Sequence, residues 1–94
     1  MAEAMNQVRD NRSEQEFELD VDGERAVAAY QLEDDTIVFT HTIVPPAIEG
    51  RGVGSKLIRG ALDQSRDRGL KVIPQCSFVR AWIANHPEYR DLLA

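Results

Sequence analysis

The chain is almost without sulfur nucleophiles, since Cys76 is its one cysteine among 94 residues. A single thiol makes neither an internal disulfide nor a cysteine-rich zinc site. His41 and His86 are too far apart in sequence to give ligand spacing, so no metal is expected. Long apolar runs are missing too. Nothing approaches the roughly 18–20 residues that a spanning helix needs, which argues against an integral membrane protein. The first stretch, MAEAMNQVRDNRSEQ, lacks an apolar signal core. Export is therefore not expected, and a reducing, cytoplasmic compartment is the default.

Positive charge is scarce in the first half. Residues 1–40 set eleven acidic side chains against Arg9, Arg12 and Arg25, a balance of −8, while residues 41–94 carry a balance of +3. An acidic chain neutralises few phosphates, so nucleic acid is a poor candidate partner. The basic second half can still hold a small phosphorylated ligand. Ninety-four residues make one domain with a small core.

Residues 1–15 show no apolar periodicity and are expected to be a disordered arm, with a single domain over 16–94. Phe17, Leu19 and Val21 alternate with Glu18 and Asp20, the period of a half-buried strand. Asp22-Gly23 is a tight-turn pair leading into a second strand at 25–32. After Glu33-Asp34-Asp35, the β-branched run at 36–44 reads as a central strand. Pro45-Pro46 ends it. Val53, Leu57, Ile58, Ala61 and Leu62 then fall at helical spacing, and Gly69 is placed to stop that helix. Residues 70–76 form a last strand, and Ser77 is the expected cap of a second helix with Phe78, Val79, Trp82 and Ile83 on its apolar face. The class is α+β: a three-stranded antiparallel meander, then a right-handed β-α-β unit with a parallel final strand, then a C-terminal helix.

The segment Glu49-Gly50-Arg51-Gly52-Val53-Gly54-Ser55-Lys56 lies between strand and helix. Its glycines let backbone approach a ligand closely, and the helix start offers unpaired N–H groups and partial positive charge. Together with Arg51 and Lys56 this suits a diphosphate, although a glycine-rich turn can also be purely structural. A Walker loop is excluded, because Ser55 precedes Lys56 and Gly50 stands four residues before Gly54 rather than five. A dinucleotide fingerprint is excluded as well, since Ser55 or Leu57 occupies the place of its third glycine.

What fits is another loop. The segment resembles motif A of the GNAT superfamily of acyl-CoA-dependent N-acetyltransferases, written Gln/Arg-x-x-Gly-x-Gly/Ala, with Glu49 in the first position. His41-Thr42-Ile43-Val44-Pro45-Pro46 before it, and Val72-Ile73-Pro74-Gln75-Cys76-Ser77-Phe78 and His86-Pro87-Glu88-Tyr89 after it, resemble the very small YidJ-type branch, so that the likeness covers about residues 16–93. The resemblance implies acetyl-CoA as co-substrate and an amine acceptor, on a small molecule or a protein. It implies that the amides of Arg51, Gly52, Val53, Gly54 and Ser55 hold the pyrophosphate, with Lys56 nearby. The pantetheine arm would then pair with the strand at Thr42, Ile43 and Val44.

Pro74 has no N–H, which gives an independent reason for the two parallel strands to part beside it. Glu49 would repel a pyrophosphate and is expected to point away toward a basic neighbour. Typical members also place helices between their first two strands to wall the acceptor site, and Asp22-Gly23-Glu24 leaves no room for them. Two residues are catalytic candidates. Cys76, at a helix start, is a candidate acyl relay or a buried small hydrophobe. His41 is a candidate general base or a structural histidine. Tyr89 is expected to pack under Trp82. A binding or sensing module that keeps the coenzyme cleft without catalysis is the alternative reading.

Overall fold

The computed structural model describes residues 7–94. One sheet runs β1 (Arg9–Asn11), β2 (Glu16–Val21), β3 (Glu24–Glu33), β4 (Thr36–Ile43) and β5 (Lys71–Pro74), with spatial order equal to chain order. β1 to β4 pair antiparallel, and β5 joins β4 in parallel. Helix α1 (Val53–Asp67) makes the crossover between β4 and β5, and α2 (Ser77–Ala84) follows β5. Short 3-10 turns occupy Pro46–Ile48 and Pro87–Leu92. The α+β class and the parallel last strand are as the residue pattern implies.

Local chemistry explains the turns. Asp22 and Gly23 both take positive φ, 51° and 79°, as a two-residue turn matched to strand twist requires. Gly69 ends α1 at φ 70°, with its own amide on the Arg66 carbonyl and the Leu70 amide on Ser65, the paired bonds of a Schellman motif.

The expected arm differs. Residues 1–6 lie outside the described residues, but Arg9–Asn11 is a strand on the edge of β2. Its hold is polar, which is why apolar periodicity missed it. Glu18 is 2% exposed, and its carboxylate accepts from Arg9 Nε and Asn11 Nδ2, both at 2.9 Å. Asp10 accepts from the Tyr30 hydroxyl at 2.6 Å and from Arg68 at 3.0 Å. Buried charge is tolerated only when paired in this way. Burial pushes Glu18 up, yet bonds from Glu16, Asn11 and Arg9 outweigh that and hold it below the usual carboxylate range. The shared bond with Glu18, then burial, pushes Glu16 up to about 7.

The core is one cluster. It joins Phe17, Leu19, Ala28, Tyr30, Ile37 and Phe39 of the sheet to Leu57, Ile58, Ala61 and Leu62 of α1 and to Val79, Trp82 and Ile83 of α2. Both helices therefore cover the same face. Val38 is buried outside that cluster, and Ile43 and Ile73 on the helix-free side stand 54% and 37% exposed.

One irregularity positions the site. Tyr30 pairs with Phe39 but Ala29 pairs with His41, so Thr40 is an extra residue in β4. A bulge of this kind reverses the alternation. Phe39 faces the helices before it, and Thr42, opposite buried Ala28, faces them after it. His41, opposite Ala29, is turned to the helix-free face.

Candidate functional site

The loop between β4 and α1 begins where Pro45-Pro46 ends the ladder, and buried Ile48 pins it to the core. Gly50 and Gly52 then adopt φ 78° and 75°. This left-handed backbone is strained for side-chain-bearing residues and free for glycine. Gly52 caps α1 without any side-chain bond, and the first helical bond runs from the Lys56 amide to the Gly52 carbonyl at 3.0 Å. Among the described residues, no bond within the protein uses the amides of Arg51, Gly52, Val53, Gly54 or Ser55. Five consecutive donors are thus unspent at the positive end of a fifteen-residue helix.

Four of those residues, Gly52, Val53, Gly54 and Ser55, border a cleft of about 400 Å³ between the loop, the end of β4 and α2. Its walls include Thr42, Val44, Gly52, Gly54, Ser55 and Phe78. Gly54 has an ordinary helical backbone, so its lack of a side chain answers a spatial need. A Cβ there would lie 2.7 Å from Cζ of Phe78, whose ring is 43% exposed. Phe78 was expected on the buried face of α2; it lies instead across the cleft, while Val79, Trp82 and Ile83 are buried.

The parting of strands follows from Pro74. Parallel pairing runs from Thr36 opposite Lys71 to Phe39 opposite Pro74, the last residue of β5. The Cys76 amide still reaches the Phe39 carbonyl at 2.9 Å, and the Gln75 amide turns back to Ile73. β4 continues to Ile43 without β5, paired only with β3. In the fork, Cys76 is 6% exposed with Sγ 3.3 Å from Thr42 Oγ1. Cys76 itself takes the capping position, and Ser77, the expected cap, is the first helical residue with no capping bond.

The structure brings together most candidate residues and separates some. Thr42, Val44, Gly52, Val53, Gly54 and Ser55 share the cleft. Ile43 points to the helix-free face, so only its backbone can serve the cleft. Arg51 gives its guanidinium to Asp22 at 2.7 Å, leaving its amide as its contribution to the loop. Lys56 is exposed on α1. His41 stands exposed on the opposite face from Cys76, with Nδ1 3.3 Å from Thr40 Oγ1, so the two catalytic candidates do not meet. The bulge causes that separation. Glu49 does not find the expected basic neighbour: it borders the cleft and makes no ion pair among the described residues.

Tyr89 packs edge-on under Trp82, with ring centroids 5.1 Å apart. Its hydroxyl donates to Asp63 at 2.7 Å, and burial followed by that bond raises its pKa. The contacts invisible in the sequence are the bulge at Thr40, the Phe78 ring on Gly54, and a bond from Trp82 Nε1 to Ser55 Oγ at 2.8 Å. A glycine inside a helix of good formers was the one available signal for the second of these.

Comparison with known proteins agrees with this fold. The family model for GCN5-related N-acetyl-transferases matches residues 16–92. Protein NATD1 of Gallus gallus is 32% identical over 84 residues, covering 86% of this chain and 76% of the relative. Protein NATD1 of Homo sapiens is 31% identical over 83 residues, covering 85% and 74%. The solution structure of a GCN5-like N-acetyltransferase candidate from Staphylococcus aureus superposes with a TM-score of 0.73 at 25% identity, over 97% of this chain and 90% of that one. With a family match across nearly the whole sheet and both helices, the chain belongs to the GCN5-related N-acetyltransferases.

Proposed function

We propose that this protein binds acetyl-CoA and transfers its acetyl group to an amine. The observation that carries the reading is the run of five unspent amides, 51–55, four of them on residues bordering a cleft whose wall residue Thr42 touches Cys76 in the β4–β5 fork. A diphosphate on those amides meets fixed donors and the helix dipole, which favour negative charge without reorganisation. The pantetheine arm then follows the unpaired edge of β4 at Thr42, Ile43 and Val44, and the thioester reaches the fork beside Cys76.

Transfer proceeds by direct attack. The amine nitrogen bonds to the thioester carbonyl carbon, the C–S bond breaks, and coenzyme A leaves as thiolate, taking up the proton the amine releases. A donor held against the carbonyl oxygen stabilises the charge of the tetrahedral intermediate. A relay is the variant, in which the Cys76 thiolate accepts the acetyl group and passes it on. The Thr42 hydroxyl within 3.3 Å is the polar partner that supports it. We assign the activity to a single domain, the expected 16–94 extended by the edge strand β1. A free thiol suits a reducing, cytoplasmic setting, and among the described residues no helix is long and apolar enough to cross a membrane.

A second reading has its own observation. The helix-free face of the sheet is open, with Ile43 and His41 exposed on it, so the acceptor side has no wall from the described residues. That favours a coenzyme-binding module, or a large acceptor that brings its own surface. Thiol release separates the readings: with acetyl-CoA and a panel of amines, transfer predicts amine-dependent free thiol. Coenzyme A binding with no release above solvent hydrolysis would leave the binding module.

A further inference from the structure

Ser55 and Ser65 lie on the same helix and use their hydroxyls differently. Ser65 donates to the Ala61 carbonyl four residues back at 2.8 Å, the usual local outlet for a helical serine. Ser55 sits in the first turn, two residues after Val53 begins the helix. Its oxygen accepts instead, from the indole Nε1–H of Trp82 at 2.8 Å. Indole nitrogen is a donor only, so the direction of this bond is fixed. The Ser55 proton is then committed to no acceptor among the described residues, and Ser55 borders the cleft.

Trp82 is held firmly. Its ring is stacked on His86 at 3.7 Å between centroids and 11° between planes, and the Arg59 guanidinium lies 5.2 Å from its centroid. His86 Nδ1 is 2.7 Å from the Trp82 carbonyl oxygen, and Tyr89 meets the ring edge-on. A side chain only 6% exposed and packed on several sides cannot release its N–H toward water at little cost. That N–H occupies one lone pair of Ser55 and polarises the hydroxyl, making it a better donor.

We propose that Trp82 is a positioning residue: by donating to Ser55 Oγ it turns the serine proton into the cleft, adding a side-chain donor to the amides that face the coenzyme's diphosphate. This deepens, and rests on, the acetyl-CoA reading above. Arg51 is spent on Asp22, so a neutral hydroxyl aimed by a buried indole supplies part of what a free cation would.

A double-mutant cycle on coenzyme A affinity tests this, using the unaltered chain, Trp82→Phe, Ser55→Ala and the double variant in titration calorimetry. Trp82→Phe and Ser55→Ala should each weaken binding about fivefold, the worth of one hydrogen bond. The double variant should be no weaker than the worse single one. Equal affinity in Trp82→Phe, or losses that multiply in the double variant, would overturn the proposal while leaving the coenzyme reading intact. No binding by the unaltered chain would overturn both. A second readout covers a Trp82→Phe variant that fails to fold. Trp82 is the only tryptophan, so the protein has one indole N–H resonance. Coenzyme A should shift it in the unaltered chain and not in Ser55→Ala; an equal shift in both would contradict the proposal.

Discussion

Gly54 shows how one missing Cβ connects a helix to the cleft beside it. Alanine there would improve helix propensity by up to about 1 kcal/mol. Its Cβ would also meet the Phe78 ring edge at 2.7 Å. The ring is half exposed and contacts Gly54 with its far end, so it can swing outward. Gly54→Ala is therefore expected to change stability by less than about 1 kcal/mol in urea melts while weakening coenzyme A binding, because the methyl enters the cleft and the ring leaves its place on the wall. A loss above about 2 kcal/mol would mean that the ring is locked. Cys76 supports a second test at this scale. Direct attack predicts that Cys76→Ala keeps turnover within about threefold, whereas a relay predicts loss of about a hundredfold or more and an acetyl adduct on Cys76 in quenched unaltered protein.

The elements differ in how legible they were, and the reason is what holds each one. β2, α1 and the Asp22-Gly23 turn follow from apolar period and turn chemistry, so residue patterns located them closely. β1 rests on the Glu18 and Asp10 networks, which tie residues from three elements and leave no local period. The bulge at Thr40 is silent for another reason: β-branched residues on both sides of TIVFTHTIV erase the alternation that would reveal a change of face. This is why His41 and Cys76 could be named together and yet point apart, while Gly50 and Gly52, set by backbone conformation, were readable and the spatial reason for Gly54 was not.

The β1–β2–β3 network also sets a pH dependence. Glu16 is raised to about 7 by its shared bond with Glu18, so the folded state holds a proton that the unfolded chain releases near the ordinary value of 4.5. Stability from this group is present below about pH 4.5 and lost as pH rises through about 7. Relative to Glu16→Gln, which keeps a neutral hydrogen-bonding side chain, the unaltered protein should lose on the order of 1 kcal/mol between pH 5 and pH 8 in urea melts, solvent screening included. A parallel pH profile for the two proteins would contradict the shared-proton assignment.

For the molecule as a whole, a small sheet covered by helices on one side keeps a cleft at the start of α1 and a fork where β5 leaves β4. Pro74 ends the parallel ladder, the bulge turns Thr42 and Val44 inward, and the loop glycines free five amides. Each device is local, but only the assembled fold brings the helix start to the cleft whose wall residue Thr42 touches the Cys76 thiol. The most direct test follows the backbone amide resonances of 51–55 during titration with coenzyme A, and with pantetheine, which lacks the diphosphate. The account predicts saturable shifts concentrated at 51–55 with coenzyme A, and much smaller ones there with pantetheine. Absence of saturable binding, or shifts that avoid those five amides, would contradict it.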